Sequence, residues 1–195
     1  MSVVYAGDLS DAMSASAAIN SLNADKEDAA SMINALQDFI SNTSGRLIGA
    51  GYDSIRNHLE GYIGVLESRI RIADELIGGI KSACSSLLSY MDGESKLDTS
   101  ELEMYYTKQT NLNNRLNSLE SAIANYDPDE DEVDIGSLIN AYNACELELK
   151  EVERMIALLE GLDAADSAAY GAYTGSGAGL SSLSGSVSGV STISL

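Results

Sequence analysis

The stretch "YDSIRNHLEGYIGVLESRIRIADELIGGIKSACSSLLSYM", residues 52–91, decides the fold. Apolar residues recur in it every seven positions, in three neighbouring rows that begin at Tyr52, Ile55 and Ile63. Arg69 interrupts the second row. Two such rows form the seam of helices that pack at shallow angles, and a third row widens the apolar face enough to contact more than one neighbour. The spacing therefore predicts one long helix, from about residue 53 to 91, in a helical bundle.

The same seven-residue pattern runs upstream from about residue 8 to 42 and predicts a first long helix, with Lys26 interrupting one of its rows. Between the two helices lies the glycine corner, "SGRLIGAG", residues 44–51. A helix-to-helix turn explains it, with Gly45 as the C-terminal cap of the first helix and Asp53 as the N-terminal cap of the second.

Downstream, "DGESKLD" at residues 92–98 is typical of a turn. A third helix is expected to begin near Ser100, with either Asp98 or Thr99 as its cap. An acidic loop at residues 127–134 follows this helix and contains the chain's one proline, which cannot continue a helix.

Asp134 can cap a fourth helix with the same two-row pattern. We therefore predict an all-α fold: an elongated, coiled-coil-like bundle of four long antiparallel helices, arranged as two helical hairpins. After Asp166 the chain has no charged residue and is rich in glycine and serine. Residues 1–165 are predicted to form the helical domain. Residues 166–195 are predicted to be a disordered linker towards a further domain, or alternatively a ragged terminus.

Composition excludes several classes of function. The net charge of -19 and the absence of a Lys/Arg cluster argue against nucleic acid and anionic membrane surfaces as partners. No apolar run approaches the roughly 18 residues of a membrane span, so no direct membrane insertion is expected. The N-terminus has acidic residues, Asp8 and Asp11, where a secretory signal peptide would be apolar, so no conventional signal peptide is expected.

The glycine corner and the acidic loop do not match known ligand loops. Gly49 and Gly51 lack the third glycine of a dinucleotide fingerprint, and no Gly-Lys-Ser/Thr of a P-loop follows. In the acidic loop, Asp127, Asp129 and Asp131 have the spacing of the first calcium ligands of an EF-hand. However, Glu132 and Leu138 stand where that loop needs glycine and a bidentate glutamate. We expect neither a metal site nor a cofactor.

The remaining reactive side chains form no catalytic group. His58 is the only histidine, and it has no nucleophile or carboxylate partner at a recognisable spacing. Cys84 and Cys145 fall on core rows and are expected to be free thiols, because the helix register places them too far apart for a disulfide. The sequence therefore predicts a protein that binds other proteins and is not an enzyme.

The glycine corner carries a family resemblance. Leu47-Ile48-Gly49 followed by Gly51-Tyr52-Asp53 and a long helix resembles the LXG family. These domains form the N-terminal part of polymorphic toxins that Gram-positive bacteria export by type VII secretion in interbacterial competition. The resemblance covers about residues 1–165 and includes the long helix before the motif and the Gly/Ser-rich exit. The stretch "EGYIGVLESRI", residues 60–70, departs from many relatives, which carry a histidine and a proline there.

The resemblance implies a non-catalytic targeting domain. Family members bind small helical-hairpin proteins of the WXG type, and the membrane ATPase of the secretion system recognises the assembled complex. The resemblance also implies export by a leaderless route, from a cytoplasmic state, with a toxin domain downstream. The alternative is a structural coiled-coil protein, such as a cell-surface or phage helical-bundle component.

Helix lengths predict where partners dock. Aligned by their turns, the third and fourth helices reach back only to about residue 64 of the second helix. The first two helices then project as a tip of about 18 Å, at about 1.5 Å per residue. A two-helix tip cannot bury a wide apolar face alone. The predicted partner-binding residues are Leu36, Phe39, Ile40, Leu47, Ile55, Leu59 and Tyr62.

Overall fold

The computed structural model describes residues 3–128 and 133–176. Its elements, in chain order, are β1 (Val3–Tyr5), α1 (Ala6–Ala15), α2 (Ala17–Thr43), α3 (Ala50–Tyr90), β2 (Lys96–Asp98), a 3-10 turn (Thr99–Glu101), α4 (Leu102–Ala124) and α5 (Ile135–Ser176). The predicted all-α helical bundle is thereby confirmed. Residues 177–195 of the predicted linker lie outside the described residues.

The first predicted helix is divided into α1 and α2 at Ser16. This residue has extended backbone angles, φ -61° and ψ 148°, and its hydroxyl accepts the N–H of Ile19 at 3.2 Å. Serine competes with helical hydrogen bonding in this way, which favours a helix start over a helix interior. The predicted single helix over residues 8–42 is therefore wrong at this position.

A two-stranded ribbon joins the N-terminus to the segment before α4. β1 and β2 are antiparallel, with Val4 opposite Leu97, and the N–H of Ala6 donates to Ser95 O at 3.0 Å. Leu97 is almost fully buried. The prediction of a turn over residues 92–98 holds only for its first part, since residues 96–98 are a strand.

Asp98 rather than Thr99 caps the helical segment that follows, because its carboxylate accepts the N–H of Ser100 at 3.0 Å. Lys96 Nζ lies 2.8 Å from Asp98 Oδ2 and 3.1 Å from Glu101 Oε1. Hydrogen bonds from Lys96 and Ser100 lower the pKa of Asp98 to about 2. The Lys96 side chain and the Asp98 cap thus hold the backbone in place just before α4 begins.

The chain divides into two compact units. One is built around β1, β2, α4 and most of α5. Here α4 and α5 are antiparallel, since Tyr106 Oη donates to Glu160 and, further along α4, Leu112 O accepts from Cys145 Sγ at 3.6 Å. Lys108 Nζ also lies 2.9 Å from Glu148 Oε1. Their shared core is a buried cluster of Leu112, Cys145, Val152 and Ile156.

The other unit is built around α1, α2 and α3. Lys26 pairs with Asp74, and Arg69 Nη2 lies 3.0 Å from Asp25 Oδ1. Arg56 Nη1 also donates to Thr43 O at 3.4 Å. The contacting residue on α3 thus falls from 69 to 56 as that on α2 rises from 25 to 43, so the two helices form an antiparallel hairpin. Its buried side chains are Ile19, Ala29, Leu66, Ile72, Ala73, Ile77 and Leu87.

Helix α5 continues to Ser176, so the predicted boundary between helix and linker at residue 166 is too early. The stretch "AADSAAYGAY", residues 164–173, is rich in alanine, which has the highest helix propensity. Ala169 within it is buried. The predicted boundary rested on the glycine and serine content alone. Helix propensity and burial together explain why the helix continues beyond it.

Candidate protein-docking site

The glycine corner is a tight turn between α2 and α3. Gly45, the predicted C-terminal cap, has φ +80° and follows Ser44, whose N–H donates to Ile40 O at 3.0 Å. Gly49 has φ +128°. Both values lie in the left-handed region that glycine adopts without steric penalty. Two of the glycines thus let the chain leave one helix and enter the next.

Asp53 is not the N-terminal cap of α3, because the helix begins three residues earlier, at Ala50. The carbonyl of Gly49 accepts the N–H of Tyr52 at 3.0 Å and that of Asp53 at 3.1 Å, and so starts the helix. A backbone carbonyl performs the role that the sequence assigned to a side chain. The Asp53 carboxylate lies in the first turn of α3, where the helix dipole favours a negative charge.

Arg56 links both sides of the glycine corner and was missed by the sequence analysis. Its guanidinium donates to the carbonyls of Thr43 at 3.4 Å and Leu47 at 3.1 Å, and it pairs with Asp53. The side chain is only 16% exposed. Only a weak sequence signal pointed to Arg56. It is an arginine three residues after Asp53, which itself follows the glycine-rich turn.

The predicted partner-binding residues fall into two groups. Phe39, Ile55 and Tyr62 are exposed to 47%, 50% and 40% of their full area. The other predicted residues, Leu36, Ile40, Leu47 and Leu59, are half-buried. Three apolar residues that were not among the predicted ones are also exposed at this end of the hairpin: Met32, Ile48 and Tyr52.

We call residues 30–65 the corner end of the α2–α3 hairpin. All of them are described, and none is buried, although Ala29 before them and Leu66 after them are. A cavity of about 740 Å³ opens on this end, and it is lined by Gln37, Ile40, Ser41, Ser44, Glu60 and Ile63. The corner end therefore combines an unfilled groove with large exposed apolar side chains.

Other kinds of site find little support in the described part of the chain. Its acidic, histidine and cysteine side chains form no group of three or more that could hold a metal ion. Of the predicted EF-hand-like ligands, Asp129 and Asp131 lie outside the described residues. His58 is exposed on α3.

Both cysteines are free thiols. Cys145 is buried, and its Sγ donates to Leu112 O at 3.6 Å. Cys84 is half-buried, and burial raises the pKa of its thiol above the ordinary value. A raised pKa lowers the thiolate fraction and hence the reactivity of the sulfur.

None of the helices in residues 3–128 and 133–176 combines the length and apolar character that a membrane span requires. In comparisons with known proteins, no family model matches the chain, and no significantly similar curated protein or solved structure was found.

Proposed function

We propose that this chain is a non-catalytic targeting domain of the LXG type. In this proposal it binds small WXG-like helical-hairpin proteins, and the membrane ATPase of a type VII secretion system recognises the resulting complex. The chain is then made in the cytoplasm and leaves by the leaderless type VII route, ahead of a toxin domain.

The observation that carries the proposal is the exposure of the corner end. A stretch with apolar residues at seven-residue spacing predicts helix–helix contact, yet the chain itself covers none of these side chains fully. Exposed apolar residues that cluster, rather than occur singly, mark surfaces for protein partners. Helices from another chain can complete a bundle there and bury Phe39, Ile55 and Tyr62.

The motif residues support the proposal through the shape they give this end. Gly49 provides the left-handed turn, and Tyr52 is 45% exposed beside it. Gly51 and Asp53 lie in the first turn of α3, and Leu47 receives the hydrogen bond from Arg56. In this reading the motif builds the turn that joins two long helices and binds no small ligand.

The direct test is co-purification of the full chain with the short helical-hairpin proteins encoded beside it. We expect a stable complex with wild type, and at least a tenfold weaker one with Ile55→Glu/Tyr62→Glu, because charges would replace aromatic and aliphatic contacts. Leu59 is less suitable for substitution, since it is half-buried in the hairpin itself.

Met104→Glu is the matched control, because Met104 is 55% exposed but lies on α4. This variant should bind as wild type does. Undiminished binding of Ile55→Glu/Tyr62→Glu, with helicity retained, would overturn docking at the corner end. Failure of wild type to bind any neighbouring hairpin protein would favour the alternative, a structural coiled-coil protein.

A further inference from the structure

Four of the six large exposed apolar residues of the corner end, Met32, Phe39, Ile55 and Tyr62, lie on one side of the hairpin, and Ile48 and Tyr52 lie at the turn. Two stripes with seven-residue spacing contain the four: Asp25, Met32 and Phe39 on α2, and Ile55, Tyr62 and Arg69 on α3. Seven residues are close to two helical turns, so each set lies along one line of its helix. The ion pair of Asp25 with Arg69 joins the ends of the two lines. Both stripes therefore run along the same side.

This ion pair also fixes the register of the stripes. In an antiparallel pair, each step of seven residues up α2 is matched by seven residues down α3. Starting from Asp25 and Arg69, the first step places Met32 across from Tyr62, and the second places Phe39 across from Ile55. We call these four apolar residues the apolar side; their exposed fractions are 47%, 40%, 47% and 50%.

The opposite side of the hairpin is acidic along α3. Asp53, Glu60, Glu67 and Asp74 follow one another at the same seven-residue spacing. Asp74 pairs with Lys26, which is on the other flank of α2 from Asp25. Glu60 lines the cavity together with Gln37, Ser41 and Ser44, and Ile40 and Ile63 complete a lining that is mainly polar. We call these four carboxylates the acidic side.

In this short segment, the carboxylates therefore lie outside the stripes that carry the exposed apolar residues. Acidic residues number 30 in the chain, and the corner end has three, Asp38, Asp53 and Glu60. Two of these lie on the acidic side, and Asp38 is exposed on α2 outside both stripes. The one carboxylate in the stripes, Asp25, is compensated by Arg69. The apolar side thus has no uncompensated charge.

We infer that the partner docks on the apolar side alone, and that it does so with an amphipathic helix whose uncharged apolar residues repeat every seven positions. The inference rests on the proposed function and adds which side of the hairpin is used and what the partner presents. Met32 to Phe39 spans about 10 Å, so about two turns of the partner helix cover the contact. An apolar surface suits an uncharged seam and disfavours a charged one, because docking would take the charge out of water without pairing it.

A separate protein fits this surface better than a second copy of the chain. Two copies would bring together net charges of -19 each, and their repulsion opposes association at ordinary ionic strength. A separate helical protein can match the uncharged apolar side without adding a second charge of that size. The proposed partner is therefore a different chain.

The test places a photo-crosslinker on either side of the full chain. p-Benzoylphenylalanine replaces Phe39 on the apolar side or Glu60 on the acidic side, and each variant is irradiated in complex with the neighbouring helical-hairpin protein. We expect at least tenfold more crosslinked partner from position 39. We also expect the affinity to change less than threefold between 50 and 500 mM salt, because an uncharged contact is little affected by screening.

The outcomes separate this inference from the proposed function. A complex that crosslinks mainly from position 60 would overturn the one-sided docking and leave the targeting function standing. Crosslinks between two copies of the chain would overturn the separate partner. If Phe39→Glu abolishes binding while the matched Glu60→Lys does not, with helicity equal in both, the inference is supported without the crosslinker. Absence of any complex with wild type would remove the proposed function and this inference together.

Discussion

The corner end of the α2–α3 hairpin and the α4–α5 hairpin share one sequence pattern but differ in burial. In the α4–α5 hairpin, the seven-residue rows meet in a buried cluster that includes Leu112 and Val152. In the corner end, similarly spaced apolar residues such as Phe39 and Tyr62 remain exposed. The spacing of apolar residues therefore indicates where a seam lies. The spacing alone does not decide whether that seam is buried within the chain.

The two regions are also held together differently. Polar contacts join α4 to α5, such as Tyr106 with Glu160 and Lys108 with Glu148, beside a buried apolar cluster. The corner end depends on backbone geometry at two glycines and on one side chain, Arg56. A region with few buried contacts has little local stability of its own and gains most from a partner.

The largest expected effect comes from truncating one seam residue in each region. Leu112→Ala should lower the free energy of unfolding of its unit by about 2–5 kcal/mol, because Leu112 is 6% exposed and its loss leaves a cavity. Phe39→Ala should lower stability by less than about 1 kcal/mol, because the ring is already 47% exposed. Urea denaturation followed by helical circular dichroism measures both.

Equal losses for the two variants would contradict the comparison, since they would show that Phe39 is covered within the free chain. Measuring the affinity for the partner should separate the two variants further. In the complex, Phe39→Ala should weaken association by about tenfold or more if the ring enters the interface. Leu112→Ala should leave the affinity unchanged as long as the chain is folded.

Much of the fold could be predicted because helical periodicity is a local property. The positions of α3, α4 and α5 follow from rows of apolar residues and from turn residues between them. The break at Ser16 was missed, because a serine inside a helical pattern is compatible with either a cap or an exposed helix position. The pairing of β1 with β2 was missed as well, because it joins residues 3–5 to 96–98, and no local signal reports such a contact.

The candidate site could be predicted in part. Sequence spacing identified Phe39, Ile55 and Tyr62, which are exposed. It could not separate them from Leu36 and Leu59, which are half-buried, because both groups occupy apolar positions of the same helices. The ion pairs between α2 and α3 supply the missing information: they fix which stripes share a side.

A moderate effect is expected at the glycine corner from Arg56→Gln. The change removes charged hydrogen bonds to the carbonyls of Thr43 and Leu47 and the ion pair with Asp53. Local stability of the turn should fall by about 1–2 kcal/mol, since charge-assisted bonds are strong but this site is partly solvated. The amide hydrogen of Tyr52, bonded to Gly49 O at 3.0 Å, should then exchange about 5–30 times faster.

Arg46→Gln is the control for this measurement. Arg46 lies in the same turn and is exposed, and its side chain forms no ion pair within the described residues. Its substitution should leave amide exchange at Tyr52 within about twofold of wild type. If Arg56→Gln also leaves exchange unchanged, the glycines and backbone hydrogen bonds hold the turn unaided, and the corner end is more rigid than the comparison with α4–α5 implies.

The smallest expected effect concerns the 3-10 turn before α4, which the Asp98 carboxylate caps, whereas a backbone carbonyl starts α3. Lys96 and Ser100 donate to the Asp98 carboxylate, so its pKa in the folded chain is about 2, below the ordinary value of about 4. Its stabilising contribution is therefore complete above about pH 4 and is lost as the pH falls towards 2.

An NMR titration of the Asp98 side-chain carboxyl should show a midpoint near 2. Lys96→Met should move that midpoint upwards towards 4, because it removes the largest cause of the shift. A midpoint that stays near 2 in Lys96→Met would assign the low pKa to the Ser100 hydrogen bonds alone and make the cap independent of the β ribbon.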